Sequence, residues 1–587
     1  MDISVGRHSL AHVMAQAVME MFPGAKLGIG PCIDDGFYYD FDLPEPLTNE
    51  HFPEIEERMA KILKTQAPLI REEYADKEAA LKAFAGQTYK EELIRELPED
   101  EPIVAYHTST GFTDLCRGPH VENTRELLSW AYKIHSVAGA YWRGSEKNPM
   151  LSRLYVYAFP KRDELKAHIA QVEEARKRDH NKLGRSLGYF TTSEMIGQGL
   201  PILMPNGAKV IQILQRFVED EEERRGYQLT RTPSMAKNDL YRVSGHWDHY
   251  RDGMFILGHE EDPAVFALRP MTCPFQFQVY LSKLRSYREL PLRYNETATL
   301  FRNEGSGEMH GLIRVRQFTL SEGHIACLPE QLEDEFRGCV DLAMFMLNAV
   351  GLVDDVSFRF SKWDESNREK YIGDAAQWES VQARMKAILD HLQVDYVEAD
   401  GEAAFYGPKL DLQIRNVFGK EDTLITIQID FQLAGRFGME YVASDGSKQY
   451  PYIIHRSSIG CYERTLALLI EKYAGAFPFW LAPVQVGVVP VRQHHNDCAC
   501  EVISALKKAG LRCEALLEDE GMGGKVNKFR QDKVPYTLII GDREAEAGTV
   551  SVKIRGGKQA QDVPLEAFVK ACVALNEGLA LELAETF

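Results

Sequence analysis

Apolar and polar positions along this chain repeat with two different periods, and the switches between them mark out its elements. Val210, Ile213, Leu214 and Phe217 fall at i, i+3, i+4 and i+7, the stripe of an amphipathic helix that packs on a core or on a second copy. Phe301-Arg302-Asn303-Glu304, a Gly305-Ser306-Gly307 turn and Arg314-Val315-Arg316-Gln317-Phe318 read as strand, turn and strand. The period of two would project Arg302, Glu304, Arg314 and Phe318 to one face. Residues 1–160 mix short helices and strands, with an aromatic strand at 36–41. The charged stretch 163–182, centred on Glu173-Glu174-Ala175-Arg176-Lys177-Arg178, predicts a helix between domains. After residue 476 the pattern becomes strand (484–490), helix (496–509), strand (512–516), helix (525–533) and strand (537–540), then a hairpin from 549 and a helix over 565–577. That alternation predicts a compact α/β domain of about 100 residues. The expected divisions are therefore 1–160, a linker 161–189, 190–476 and 477–587.

A chain of 587 residues is too long for one core and should form roughly three or four domains. Its 44% hydrophobic and 26% charged content is ordinary for a globular protein. Pro478, Pro483 and Pro490 interrupt the most apolar stretch, 477–491, which excludes a membrane helix there. Met1-Asp2-Ile3-Ser4 offers neither a basic nor an apolar leader, so no secretory signal is expected. Ten cysteines without framework spacing favour a reducing cytoplasm. The net charge of −19 speaks against nucleic-acid binding only on average. Between Lys525 and Lys558, eight Lys/Arg against four Asp/Glu leave +4, which fits a basic face for RNA or an ordinary solvated one.

Arginines on the 302–318 hairpin supply permanently charged forks for phosphate, Glu304 an acceptor for an exocyclic amine, and Phe318 a ring for stacking. That is a sheet-built ATP site, in a chain with no Gly-x-x-x-x-Gly-Lys-Ser/Thr loop. A salt-bridged solvent face reads equally well from this segment alone. Gly460-Cys461-Tyr462-Glu463-Arg464 breaks the tie by placing another arginine at a strand-to-helix junction. With Leu229-Thr230-Arg231-Thr232-Pro233 after the helix at 208–225 as motif 1, the 302–318 hairpin as motif 2 and Gly460–Arg464 as motif 3, three ordered motifs resemble those of class II aminoacyl-tRNA synthetases.

Cys273, His324 and His455 are one thiolate and two imidazoles, three good zinc ligands with the fourth position open, the catalytic rather than the structural pattern. By residue type alone they could be three unrelated core residues; two of them flank the motifs. His8-Ser9-Leu10-Ala11-His12 and Cys116-Arg117-Gly118-Pro119-His120 form a second set of ligand type. His494-His495-Asn496-Asp497-Cys498-Ala499-Cys500 also looks metal-like, but reads better as a surface loop with Asn496 or Asp497 capping a helix.

Over essentially its whole length the chain resembles the threonyl-tRNA synthetase family. The resemblance implies an α+β multidomain protein: an antiparallel class II catalytic core, an α+β editing domain and a C-terminal α/β anticodon-binding domain. It implies a cytoplasmic homodimer, paired through the motif 1 region, that acts on ATP, L-threonine and tRNA(Thr). One Zn2+ per chain on Cys273, His324 and His455 would take the amino and hydroxyl groups of threonine, with Mg2+ accompanying ATP. A hydroxyl-dependent site rejects valine by ~10⁴–10⁵, whereas one methyl is worth only ~10–200-fold, so serine leaks through. By the same resemblance Arg302 meets the α-phosphate, Arg314 and Arg464 the γ end, Phe318 the adenine and Glu304 its amine. Gln428, Tyr406 and Lys409 hold the adenylate, Met271 and Glu322 line the threonine site, and His246 assists transfer to the terminal ribose. His8, His12, Tyr38, Lys90, Asp114, Cys116 and His120 would form a metal-free pocket that hydrolyses seryl-tRNA. Glu544, Lys553 and Arg555 would read the anticodon. The sequence departs from the family pattern at Leu320-Ser321-Glu322, at Phe275-Gln276 and at Lys553, and the resemblance begins at the editing domain, so the small domain that precedes it in many members is not expected here. A non-enzymatic relative would have lost Arg302, Arg464 or a zinc ligand; all are present.

Overall fold

The computed structural model describes residues 2–108, 111–259 and 265–587. The chain divides into two compact units, Met1–Glu173 and Glu174–Phe587, the division falling inside the helix Arg162–Arg178.

In the first unit, the helix Ile3–Met21 begins where the Asp2 carboxylate accepts from Ser4 N. Its apolar residues Leu10, Met14 and Val18 share a core with Phe37, Phe41, Ile55, Met59, Leu154 and Val156. The strand Gly36–Asp42, whose aromatic run the sequence predicts, pairs antiparallel with Lys26–Leu27, Cys32–Ile33 and Met150–Phe159. A second sheet joins Leu69–Tyr74, Ile103–Thr108 and Thr113–Leu115.

The second unit is built on an eight-stranded sheet. Its order is Gln228–Leu229, Leu292–Phe301, Gln317–Cys327, Tyr452–Cys461, Glu421–Asp430, Lys409–Arg415, Val356–Ser361 and Tyr396–Ala399. Only the two outermost pairings are parallel. The helices Pro205–Arg224, Leu332–Ala349 and Tyr462–Tyr473 bury Val210, Leu214, Phe336, Met346 and Leu466 with Ile325, Ile427 and Ile454 of the sheet. Ile213 and Phe217 of the predicted stripe pack at the rim of that core.

Toward the C-terminus, strands run in the order Cys513–Ala515, Val486–Pro490, Tyr536–Ile540, Thr549–Ile554 and Gln559–Pro564. The first two pairings are parallel and the last two antiparallel, as an α/β pattern ending in a hairpin requires. The chain is thus an α+β multidomain protein, with a mostly antiparallel central sheet and an α/β C-terminal part.

Two local expectations are corrected. The strands of the motif 2 hairpin end at Phe301 and resume at Gln317, so 302–316 is a loop pinned at its mouth by Arg302 N donating to Arg316 O. Arg302, Glu304 and Arg314 therefore owe their common direction to loop folding, not to strand alternation. The helix Asn496–Lys508 is preceded by His495 at its N-cap and has no side-chain cap there; Asn496 Nδ2 instead donates to Leu517 O.

Candidate active site

One register row crosses four strands of the large sheet: His324 pairs with His455, His455 with Gln428, and Gln428 with Lys409. Residues directly opposite on neighbouring strands share a face, so four side chains far apart in sequence project together. Along Gln317–Cys327 the period of two adds Phe318, Leu320 and Glu322 to the face of His324. Further along the His455 strand, Gly460 has φ +76°, and a Cβ there would stand 2.1 Å from Leu424 O, so only glycine fits.

A cavity of about 300 Å³ lies on this face. Arg302, Glu304, Arg314, Phe318 and Arg464 line it together with Met271, Cys273, Glu322, Tyr406, Lys409, Gln428 and His455. The Arg302 guanidinium lies 5.1 Å from the centre of the Phe318 ring. Arg314 is paired with Glu304 at 2.8 Å and Glu308 at 3.2 Å. Arg464 donates to the carbonyls of Ile313, at 3.0 Å, and Thr423, which ties the motif 3 helix to the motif 2 loop. Tyr406 donates to Gln428 Oε1 at 2.7 Å, and Lys409 pairs with the buried Asp411 at 3.0 Å.

Cys273, His324 and His455 are all buried, with their ligand atoms within 4.8 Å of one another. His324 Nδ1 bonds Gln276 Oε1 at 2.5 Å, while its Nε2 is buried without a hydrogen-bond partner among the described residues, 3.7 Å from Glu322 Oε1. His455 is anchored through Nε2 to Asp430 Oδ2 at 2.9 Å, which leaves Nδ1 facing the cluster. Burial pushes the Cys273 thiol well above its ordinary value, and burial likewise raises the Glu322 carboxyl, which accepts from Thr272 N at 3.1 Å.

His246 stands outside the cavity lining, its ring 5.1 Å from Phe405, which packs at 4.9 Å on Tyr406. The ring is fully buried, and burial, aided by the charges of His455, Arg302, His249 and Arg436, lowers its pKa to about 3. Ser244 Oγ donates to Tyr241 O and so accepts from His246 Nδ1 at 2.7 Å, which puts the lone pair on Nε2, an atom with no hydrogen-bond partner among the described residues.

Sequence reading missed Leu424, Thr426, Ser457, Arg456 and Cys461, all at the cavity. Counting back by twos from Gln428 would have found Thr426 and Leu424. Arg456 is held by Glu222 at 2.6 Å, and Gly323 makes room for it, because a Cβ there would lie 2.6 Å from its guanidinium carbon.

The first unit holds a separate pocket of about 370 Å³ lined by His8, His12, Tyr39, Lys90, Asp114 and Cys116. His120 joins His8, His12 and Cys116 in one cluster, with Cys116 Sγ 3.2 Å from His8 Nε2 and 3.3 Å from His120 Nε2. Ser9 Oγ donates to Val5 O and accepts from His120 Nδ1, so the His120 lone pair points at the thiol. Lys90 pairs with Asp114 at 2.6 Å, both buried, and Tyr39 donates to the same carboxylate at 2.5 Å. Burial lowers His120 to about 2 and raises Cys116 to about 11, so at neutral pH this pocket offers neutral imidazoles and a protonated thiol. Tyr38 is corrected: alternation turns it to the other face of its strand, where it packs on Arg153 and Tyr155, and Tyr39 takes the place in the pocket.

Residues 256–473 match the family model of the tRNA synthetase class II core domain (G, H, P, S and T). Residues 485–575 match the anticodon binding domain, and 103–155 the threonyl and alanyl tRNA synthetase second additional domain. A threonine–tRNA ligase of Clostridium perfringens is 57% identical over 567 residues, 96% of this chain and 88% of that protein. The chain belongs to the threonine–tRNA ligase family. Another member, from Anoxybacillus flavithermus, is 45% identical over 570 residues, covering 97% of this chain and 88% of its own. Among solved structures, the RNA binding domain of threonyl-tRNA synthetase from Cryptosporidium parvum superposes with a TM-score of 0.64 at 29% identity, over 69% of this chain and 99% of that one.

Within this threonine–tRNA ligase family member, Lys553 and Arg555 line a groove of about 720 Å³ in the C-terminal part. Arg555 spends its guanidinium on Lys533 O and Phe477 O, both at 2.8 Å. Glu544 lies away from the groove lining and takes Ser551 Oγ and Gly541 N, so of the three expected anticodon contacts only Lys553 presents an exposed head. The His494–His495 cluster is hydrogen-bonded: both Nε2 atoms lie 2.9 Å from Asp542 Oδ1. His495 Nδ1 accepts Arg492 N–H, so its Nε2 carries a proton and is no ligand. Among the described residues no helix is long and apolar enough to cross a membrane.

Proposed function

We propose that this chain attaches threonine to tRNA(Thr) at the cavity of the second unit and hydrolyses seryl-tRNA(Thr) in the pocket of the first. The cavity carries this reading, because Cys273 and His455 of the Cys/His/His cluster line it together with Arg302, Arg314 and Arg464. Activation is attack of the threonine carboxylate on the α-phosphate of ATP, bound with Mg2+, which asks the protein mainly for positioning and charge stabilisation. Arg302 meets the α-phosphate, Arg314 and Arg464 the γ end. Phe318 stacks on adenine once Arg302 turns from its ring to phosphate, and Glu304 accepts from the adenine amine once ATP takes over Arg314.

The donor set fits Zn2+. A cysteine and two imidazoles converge, each imidazole has its far nitrogen held by an outer partner, and His324 Nε2 is buried without a hydrogen-bond partner among the described residues. When bound, Zn2+ would supply a Lewis-acid centre that recognises the amino and hydroxyl groups of threonine. Met271, Glu322, Tyr406, Lys409 and Gln428 close the amino-acid and adenylate side of the cavity. His246, neutral with its lone pair on Nε2, serves the 3′-terminal ribose as general base.

In the editing pocket, His8, His12 and His120 and the Cys116 thiol handle protons while the Lys90–Asp114 pair fixes the local charge. Residues 1–160 act as the editing domain, 161–189 as linker, 190–476 as catalytic domain and 477–587 as the anticodon-binding domain, with Lys553 exposed at its groove. Exposed Met204, Leu229 and Met235 beside the helix Pro205–Arg224 support homodimerisation through motif 1. Ten free cysteines suit a cytoplasmic location.

The test is ATP–pyrophosphate exchange across the twenty amino acids, with metal analysis of the protein and of Cys273→Ala. Threonine should support exchange, serine weakly, valine not at all, and Cys273→Ala should lose both zinc and exchange. Full exchange by zinc-free protein would overturn the zinc reading, and exchange driven by another amino acid the threonine reading.

A further inference from the structure

We propose that Gln276 is a positioning residue that locks His324 in the one tautomer able to bind a metal; this rests on the zinc reading above. Gln276 is buried and sits one helical turn after Cys273 on the helix Cys273–Leu281. Its Nε2 donates to Thr230 Oγ1 at 2.8 Å. Thr230 gives its own proton to backbone Asn295 O at 3.0 Å, with Glu296 Oε2 at 3.3 Å as the alternative acceptor, so its oxygen can only accept from Gln276. That fixes which end of the amide faces which neighbour, and turns Oε1 to His324 Nδ1 at 2.5 Å. A carbonyl oxygen there requires N–H at Nδ1, and the neutral ring then has its lone pair on Nε2. Nε2 is buried without a hydrogen-bond partner among the described residues, with Glu322 Oε1 3.7 Å away, and His324 belongs to the cluster with Cys273 and His455.

The other imidazole is held the opposite way round. Asp430 receives the backbone N–H groups of Gln432 and Leu433 on Oδ1 and keeps Oδ2 for His455 Nε2. One ligand is thus set by a neutral amide relay from the motif 1 strand end and the other by a carboxylate. Outer partners of this kind typically change metal affinity by about 10–100-fold.

The experiment measures Zn2+ affinity by competition with a chromophoric chelator and the visible spectrum of the Co2+-loaded protein, for the full chain and three variants. Gln276→Leu removes the acceptor and should weaken Zn2+ about 10–100-fold, alter the Co2+ spectrum and raise KM for threonine while KM for ATP stays. Gln276→Glu keeps an acceptor and should restore most of the affinity. Thr230→Val leaves Gln276 in place but frees its amide to turn over, and should weaken Zn2+ in the same direction by less; it decides the matter if the leucine variant fails to fold. Unchanged affinity and spectrum in Gln276→Leu, or in Thr230→Val if only that variant folds, overturn the proposal while leaving the zinc reading intact. A parent protein that holds no Zn2+ on these residues overturns both.

Discussion

If His246 is the base of the transfer step, its burial fixes how that step responds to pH. The pKa drop from 6.5 to about 3 corresponds to about 5 kcal/mol against protonation, at ~1.4 kcal/mol per pH unit. Near pH 6 about one ring in a thousand is protonated, so the rate of transfer should show no His246 ionisation between pH 5.5 and 8.5. Positioned bases contribute ~10²–10⁴-fold. His246→Ala should therefore slow single-turnover transfer of threonine from bound adenylate to tRNA by about that factor at every pH, with amino-acid-dependent exchange unchanged. Rapid quench of preformed threonyl-adenylate mixed with tRNA reads the step directly. A parent profile with an inflection near 6.5 that vanishes in His246→Gln would refute the reasoning, because the ring would then titrate as a solvated one. Equal losses in exchange and transfer would refute the role. The stability sign follows from the same shift: the folded protein binds fewer protons at His246 than the unfolded chain, so this ring costs stability progressively as pH falls from 6.5 toward about 3.

Arg302→Ala should abolish adenylate formation while leaving tRNA binding, which is spread over many phosphate contacts, largely intact in a filter-binding assay. Loss of both together would contradict the division of roles. In the first unit, His8→Ala or Cys116→Ala should accumulate seryl-tRNA(Thr) with threonine activation preserved; an unchanged ratio of seryl to threonyl product in folded protein would mean that this pocket does not edit. Asp114→Asn strands the Lys90 ammonium, whose side chain is only 3% exposed, and should destabilise this unit by ~3–5 kcal/mol, read as faster hydrogen exchange across residues 1–173.

The sequence by itself determined what depends on near neighbours and residue chemistry. Val210 and Leu214 could be assigned to one helix face, and His8 and His12 to another, because one helical turn is local, whereas the alternation read through 302–316 failed where the chain loops. Ordered motifs and the Cys/His/His set carried the family reading for the same reason: they are properties of the string. What the tertiary structure decided was register and hydrogen-bond direction, which depend on partners far along the chain. Only pairing of four strands shows His324, His455, Gln428 and Lys409 in one row. A one-residue difference in face separates Tyr38 from Tyr39, and nothing in a run of aromatic residues says which one faces the pocket. Glu544 and Arg555 have the right chemistry for RNA, yet their heads go to groups of the C-terminal fold itself, which the sequence does not disclose. Gln276 looked like a departure from the family pattern; its meaning, an amide turned toward His324 by Thr230, exists only where three remote segments meet.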